Sequence, residues 1–293
     1  MRERLPSFNY LVPSTIDEAI DHLRSLEDAV ILAGGTDLIV AMKLKGLRPK
    51  NVISMKKLKG QLSYIVKDAD EVRIGALTCF HDIEKSPLIK EKFEVLHEAV
   101  TQIASYQIRN IATIGGNLCN ASPAADSAPP LMVLGAKLII AGPSGERGVP
   151  IERFFVGPGR TVLEKGEILK EIVIPIMPEN SGASFVKLGR RKSEDISVAS
   201  AAAFVLLEGN TIKDVRIALG SVAPTPIRAY NAEREILGKE ISPSLLERAG
   251  EKAKEECSPI TDVRASAEYR REMVRVLTRK ALEIAINRAK GGG

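Results

Sequence analysis

A β-branched run, Val30-Ile31-Leu32, follows a helix-patterned segment and stops at Ala33-Gly34-Gly35-Thr36-Asp37. A chain that runs helix, strand, Gly-Gly and then a fresh apolar stretch (Leu38 to Met42) is committed to an α/β unit with a tight turn after its strand. The helix is predicted over 15–27, where Thr15 and Glu18 have the spacing of a capping box and Ile16, Ala19, Ile20 and Leu23 recur at helical intervals. Two adjacent glycines let a backbone turn sharply and let N–H groups approach an anion without interference from a Cβ. By itself, though, Gly-Gly does no more than end a strand. The motif gains weight because two glycines with a nearby hydroxyl recur at Thr113-Ile114-Gly115-Gly116-Asn117, there followed by an amide side chain.

Neither motif is a phosphate loop of the Walker kind, since Thr36 and Asn117 stand where a lysine is required. Neither has the G-x-G-x-x-G spacing of a dinucleotide fold. The pair therefore points to a nucleotide held between two glycine loops of separate subdomains. Between and beyond them, short strands are expected at 52–53, 64–66, 72–76, 137–141 and 168–174, and helices at 78–85 and 91–104. Residues 142–146 form a turn by composition, and 176–182 a linker.

After the linker the pattern changes. Strands are expected at 184–188, 196–207 and 212–221, the last two joined through Glu208-Gly209-Asn210. Helices follow at 231–237, 242–256 and 265–288. The 293 residues suffice for about two domains. With 44% apolar and 27% charged residues the composition excludes a disordered or disulfide-scaffold chain. No apolar run reaches the roughly 20 residues of a membrane span. The start, Met1 to Pro6, lacks the apolar core of a secretory signal. Cys79, Cys119 and Cys257 are odd in number and far apart, which suits a reducing cytoplasm and cannot hold an iron–sulfur cluster alone. A net charge of +5, spread among acids, with no tryptophan and few other aromatics, argues against nucleic acid as a partner.

Three segments carry a family resemblance: Leu32 to Leu38, Arg109 to Asn117, and Ser122-Pro123-Ala124-Ala125-Asp126. They resemble the FAD-binding, medium subunit of the molybdenum hydroxylases, the family of xanthine dehydrogenases and aerobic carbon monoxide dehydrogenases. Phe8-Asn9-Tyr10 with Pro13 is similar to the family's start, 187–196 to the opening of its C-terminal domain, and 262–270 to that domain's closing signature. The resemblance implies an α+β fold: an FAD-binding domain of the vanillyl-alcohol-oxidase type at 1–177, with subdomains near 1–58 and 59–177. A small domain with a three-stranded antiparallel sheet and helices would follow at 182–289.

It further implies that Leu32, Ala33, Gly34, Gly35, Thr36 and Asp37, with Thr113, Ile114, Gly115, Gly116 and Asn117, wrap the pyrophosphate and ribityl chain of FAD. Asp126 would contact the nucleotide portion, Leu169 would pack near the flavin, and Lys187 would approach the isoalloxazine. Read from the residues alone, Asp126 is a helix N-cap, Leu169 a core leucine and Lys187 a solvated lysine. Arg190 and Arg191 read as a solvated or interface pair, Phe185 as core or ring-stacking, and Cys119 as a small buried hydrophobe. Some flavin oxidases of this fold bind FAD covalently through a histidine in the first loop. This chain has Asp37 there, so noncovalent FAD is expected.

The implied function is electron transfer within a heteromeric complex. A small subunit with [2Fe–2S] clusters and a large molybdopterin-binding subunit would be the partners, and the molybdenum cofactor and clusters would lie on those chains. No metal site and no general acid or base is expected here. Two alternatives stay open: a self-sufficient flavin reductase on the same fold, like UDP-N-acetylenolpyruvoylglucosamine reductase, and a flavin-free interaction module.

Overall fold

The computed structural model describes residues 4–191 and 194–291. Met1 to Glu3, Lys192 and Ser193 (inside the 187–196 segment) and the last two glycines lie outside the described residues.

The chain opens with β1 (Asn9–Leu11), α1 (Ile16–Ser25), β2 (Ala29–Leu32), α2 (Leu38–Leu44) and β3 (Asn51–Ser54). The strands form a parallel sheet in the order β1-β3-β2. Thr15 caps α1 by accepting from the Glu18 N–H at 3.1 Å, as the spacing predicts, while the Glu18 carboxylate takes the Ser14 N–H at 2.7 Å. A 3₁₀ turn (Met55–Leu58) and α3 (Lys59–Leu62) lead on to the second sheet.

That sheet is antiparallel: β4 (Ile65–Asp68), β5 (Glu71–Gly75), β6 (Lys137–Gly142), β7 (Gly145–Pro150) and β10 (Ile168–Pro175), with β10 central between β5 and β6. A small hairpin, β8 (Phe155–Gly157) with β9 (Arg160–Thr161), precedes β10. The ladder of β10 slips beside Lys170, between Leu169 and Glu171. Such a bulge re-aims side chains, and here it falls where Leu169 meets the cleft described below.

Between β5 and β6 lies a helical layer: α4 (Phe80–Lys85), α5 (Pro87–Lys92), α6 (Glu94–Thr101), α7 (Tyr106–Arg109), α8 (Ile114–Cys119) and α9 (Ala128–Val133). The helix expected over 91–104 is broken at Phe93, whose backbone sits at φ −138°, ψ 57° while its ring is buried in the core. The second glycine motif is the first turn of α8, not a loop. Thr113 caps it, accepting from the Gly116 N–H at 3.1 Å.

The third sheet begins at Ser181, so the stretch without secondary structure ends at Asn180. It holds the three expected strands, β11 (Ser181–Leu188), β12 (Ala199–Glu208) and β13 (Thr211–Gly220), and a fourth of two residues, β14 (Ile227–Arg228). Then come α10 (Tyr230–Ile236), α11 (Pro243–Glu256) and α12 (Ala267–Ala289).

Alternation along β12 divides its side chains between two cores. Ala201, Ala203 and Val205 pack with the buried faces of α11 and α12, while Ala202 and Phe204 join the core that lies under the second sheet. Phe185 belongs to that same core. The C-terminal unit is thereby seated directly on the part of the chain that frames the cleft.

Candidate functional site

A cleft of about 770 Å³ opens where the carboxyl end of β2 meets α8, the start of β10 and the segment after β11. That volume is in the usual range for a small-molecule site, roughly 300–1,000 Å³. Ala33, Gly34, Gly35, Thr36 and Asp37 line it, facing Thr113, Gly115, Gly116 and Asn117. Asp126 and Leu169 line it as well. Its apolar walls include Leu77, Phe80, Ile108 and Ile168. Leu32 and Ile114 lie behind this lining, the first in its strand and the second fully buried in the core.

The first glycine motif packs against the residues that lead into the second. A methyl group on Gly34 would lie 2.1 Å from the Ile111 carbonyl oxygen, so the residue must be glycine for this approach. Gly35 has φ +76°, a conformation in which side chains are strained. Gly115 abuts Ala76, where an added Cβ would sit 2.6 Å from the carbonyl oxygen. Packing thus accounts for a glycine inside the first turn of α8, a position of poor intrinsic helix propensity.

The chemistry expected to be equivalent in the two motifs is not. In α8 the N–H groups are spent: Ile114 donates to the Thr78 carbonyl, Gly115 to that of Ala76, Gly116 to the Thr113 hydroxyl and Asn117 to the Thr113 carbonyl. Among the described residues no hydrogen bond occupies the N–H groups of Gly35, Thr36 and Asp37. The free anion donors are therefore those of the first motif. The second contributes the Asn117 amide. Its oxygen accepts from the Ser127 hydroxyl at 2.7 Å, which leaves the NH₂ end to donate.

Asp126 is not a helix cap, since Ser127 occupies the N-cap position of α9. Its side chain is 8% exposed. One oxygen accepts from Lys187 Nζ at 2.8 Å, the other from the Ser197 hydroxyl. Burial pushes the Asp126 carboxyl upward, while the Lys187 ammonium and the Ser197 hydroxyl favour its ionised form. Lys187 is not a solvated lysine: its side chain is 7% exposed, and it also donates to the Gln102 carbonyl at 2.9 Å. It borders a second, smaller cavity with Gln102, Tyr106 and Arg109. The Asp126–Lys187 pair therefore stands between the two spaces.

Ser197 had no sequence signal, because a serine before a strand is unremarkable until its partner is known. Arg109 had one only through its motif. It pairs with Glu84 at 2.9 Å and donates to the Ile103 and Ala104 carbonyls, bracing Ala104 at φ +44°. Ala104 and Glu194, both at positive φ without being glycine, border both cavities, and backbone strain of this kind gathers at ligand sites. Arg190 and Arg191 are exposed, and their N–H groups donate to Asp195. Cys119, expected to be buried, is half-buried and borders the cleft; desolvation pushes its thiol up to about 12, which keeps it protonated at neutral pH. Among the described residues no cluster of His, Cys, Asp and Glu suits a metal ion, and no helix is long and apolar enough to cross a membrane.

Comparison with known proteins gives this geometry a context. Residues 6–177 match the FAD-binding domain in molybdopterin dehydrogenase, and residues 184–285 the CO dehydrogenase flavoprotein C-terminal domain. The chain is 36% identical to the glyceraldehyde dehydrogenase medium chain of Sulfolobus acidocaldarius, over 95% of its own length and 98% of that protein's. It is 34% identical to the xanthine dehydrogenase FAD-binding subunit of Escherichia coli O157:H7, covering 97% of each. Among solved structures it superposes on carbon monoxide dehydrogenase from Hydrogenophaga pseudoflava with a TM-score of 0.95 at 34% identity, over 97% of this chain and 99% of that one. With quinoline 2-oxidoreductase from Pseudomonas putida 86 the TM-score is 0.91 at 29% identity, covering 99% of both chains. With both halves matched in order and relatives aligned from end to end, the chain belongs to the FAD-binding, medium-subunit family of the molybdenum hydroxylases.

Proposed function

We propose that this chain is the FAD-binding electron-transfer subunit of a heteromeric molybdenum hydroxylase. The observation that carries the reading is the cleft itself, where unspent N–H groups at Gly35, Thr36 and Asp37 face the Asn117 amide across a contact only glycine permits. A pyrophosphate suits that donor set. Leu32 shapes the turn from behind and Ala33 lines it, while Thr113, Gly115 and Gly116 hold the opposing wall with Ile114 buried beneath them. The Asp126 carboxylate retains acceptor capacity for a hydroxyl of the cofactor, because an ionised carboxylate has about four acceptor positions, and at 2.8 Å from Lys187 it would serve the same stretch of FAD as the ammonium. Leu169 would pack near the flavin, and the Lys187 ammonium, held behind Asp126 at the edge of the cleft, would approach the isoalloxazine and there favour negative charge on the reduced ring. Bound FAD supplies the redox chemistry, taking electrons singly and passing them on in pairs. The chain's own task is to bind it, orient it and keep water from it.

FAD is held without a covalent bond. The partners are a small [2Fe–2S] subunit that delivers electrons and a large molybdopterin-binding subunit that oxidises the substrate, and the complex works in the cytoplasm. The three free cysteines are at home in that reducing compartment.

The test is reconstitution. Mixed with its iron–sulfur and molybdenum partners, the chain is expected to show substrate-dependent bleaching of its flavin, and little turnover alone. Rapid reduction of a UDP-sugar substrate by the chain alone would instead assign it to the stand-alone reductases.

A further inference from the structure

The Asp126–Lys187 pair has a third member. Ser197 is 1% exposed, and its hydroxyl donates to the Asp126 oxygen that Lys187 leaves free. The serine is itself fixed from both sides. The next residue, Val198, donates its N–H to the Leu188 carbonyl at 2.7 Å, one residue beyond Lys187 on β11. The Val198 carbonyl accepts from Arg270 at 2.6 Å, and the same guanidinium nitrogen reaches the Ser221 carbonyl at 3.1 Å. Ser221 in turn donates its N–H to the Pro123 carbonyl at 2.8 Å, three residues before Asp126. Arg270 is 3% exposed and is anchored by Asp262 at 2.7 Å. The bonds close a ring through residues 123–126, 221, 270 and 197–198, with Asp126 at the cleft and Lys187 tied to it.

We propose that Ser197 is a positioning residue of the cofactor site. By holding one oxygen of Asp126 it sets the orientation of the carboxylate, and so keeps the Lys187 ammonium in the wall between the two cavities. Nothing in the hydroxyl's own contacts reaches the cleft, so it acts through Asp126. This inference rests on the reading of the cleft as an FAD site.

The experiment uses the full chain loaded with FAD, with two readouts: the FAD dissociation constant by titration of apo-protein, and the flavin midpoint potential by dye equilibration. Wild type is measured first, and failure to bind FAD there would overturn the FAD reading itself. Given binding, Ser197→Ala is expected to weaken FAD by about tenfold, the scale of one hydrogen bond to a charged group. Its midpoint potential is expected to fall, because a loosened Lys187 stabilises the reduced ring less. Ser197→Thr, which keeps the hydroxyl, is expected to restore both values. In an Asp126→Ala/Lys187→Met background, which removes both charges together, adding Ser197→Ala is expected to change neither. Unchanged affinity and potential in Ser197→Ala would overturn the proposal. So would an equal loss in the pair-free background, or failure of a folded Ser197→Thr to restore the values.

Discussion

At Gly34 a methyl group would lie 2.1 Å from the Ile111 carbonyl oxygen and 3.0 Å from the Ala112 Cα. Both are backbone atoms with no side-chain freedom to yield. Gly34→Ala is therefore expected to push the first glycine motif away from the segment that leads into the second, to lower stability by about 1–3 kcal/mol as overpacking does, and to reduce flavin occupancy. Gly60 is the control. It is exposed and helical, nothing lies within 4 Å of an added Cβ, and Gly60→Ala is expected to be neutral or stabilising by about 0.4–1 kcal/mol. Thermal melts and the 450 nm absorbance of both variants check the contrast, and equal behaviour would remove the case for loop contact. Asp126 makes the second prediction at this scale. Because its partner Lys187 is 7% exposed, Asp126→Ala leaves a buried cation unpaired. The expected result is a fold weakened by about 3–5 kcal/mol together with weaker FAD binding. Denaturant unfolding of the apo-protein measures the first effect and FAD titration the second; a stable fold would mean that the pair is not seated as described.

Short elements show where sequence patterning succeeds and where it stops. The helix at Ile16–Ser25, the strand at Ala29–Leu32 and the long helix at Ala267–Ala289 were legible, because a cap, a β-branched run or a long 3–4 apolar spacing marks each locally. Helix α8 was not. Its two glycines read as a turn, and what calls for a glycine inside this helix is the seat of Gly115 on Ala76, almost forty residues away. The break at Phe93 had the same cause, since its ring is claimed by the core at the cost of helix continuity. Strands β7 and β14 carry mostly polar or partly exposed residues, so no alternation announces them. In the site, the glycine motifs and Asp126 were legible as a family pattern, whereas Ser197 and the burial of Lys187 depend on pairings across 71 and 61 residues.

The closing signature at 262–270 now has a physical account. Asp262 accepts from the Arg264 N–H and from the Arg264 and Arg270 side chains, hooking the loop to the start of α12. Burial raises the Asp262 carboxyl, but these donors outweigh it and bring it down to about 2. A folded-state value below the unfolded one, about 3.9, means stability that is present above pH 4 and lost as pH falls toward 2. The gap in urea stability between wild type and Asp262→Asn is accordingly expected to be open at pH 6 and to close by pH 2. A gap that stays constant over that range would contradict the ionic hook.

For the whole molecule, the main consequence is that the cleft does not belong to the front of the chain alone. Residues 199–205 of β12 are buried on both faces, one against α11 and α12 and the other against the core beneath the second sheet. The wall of the cleft is completed from behind by Glu194, Asp195 and Ile196. Such an arrangement lets contacts made on the C-terminal unit bear on the cofactor site through rigid packing and not through a hinge. The central claim, that this cleft is a noncovalent FAD site, is tested most directly by purifying the full chain, precipitating it with acid and analysing the supernatant. The expected result is about one FAD per chain in solution and a colourless pellet. Flavin left on the pellet would contradict the noncovalent claim, and absence of flavin from both fractions, even after incubation with excess FAD, would contradict the site itself.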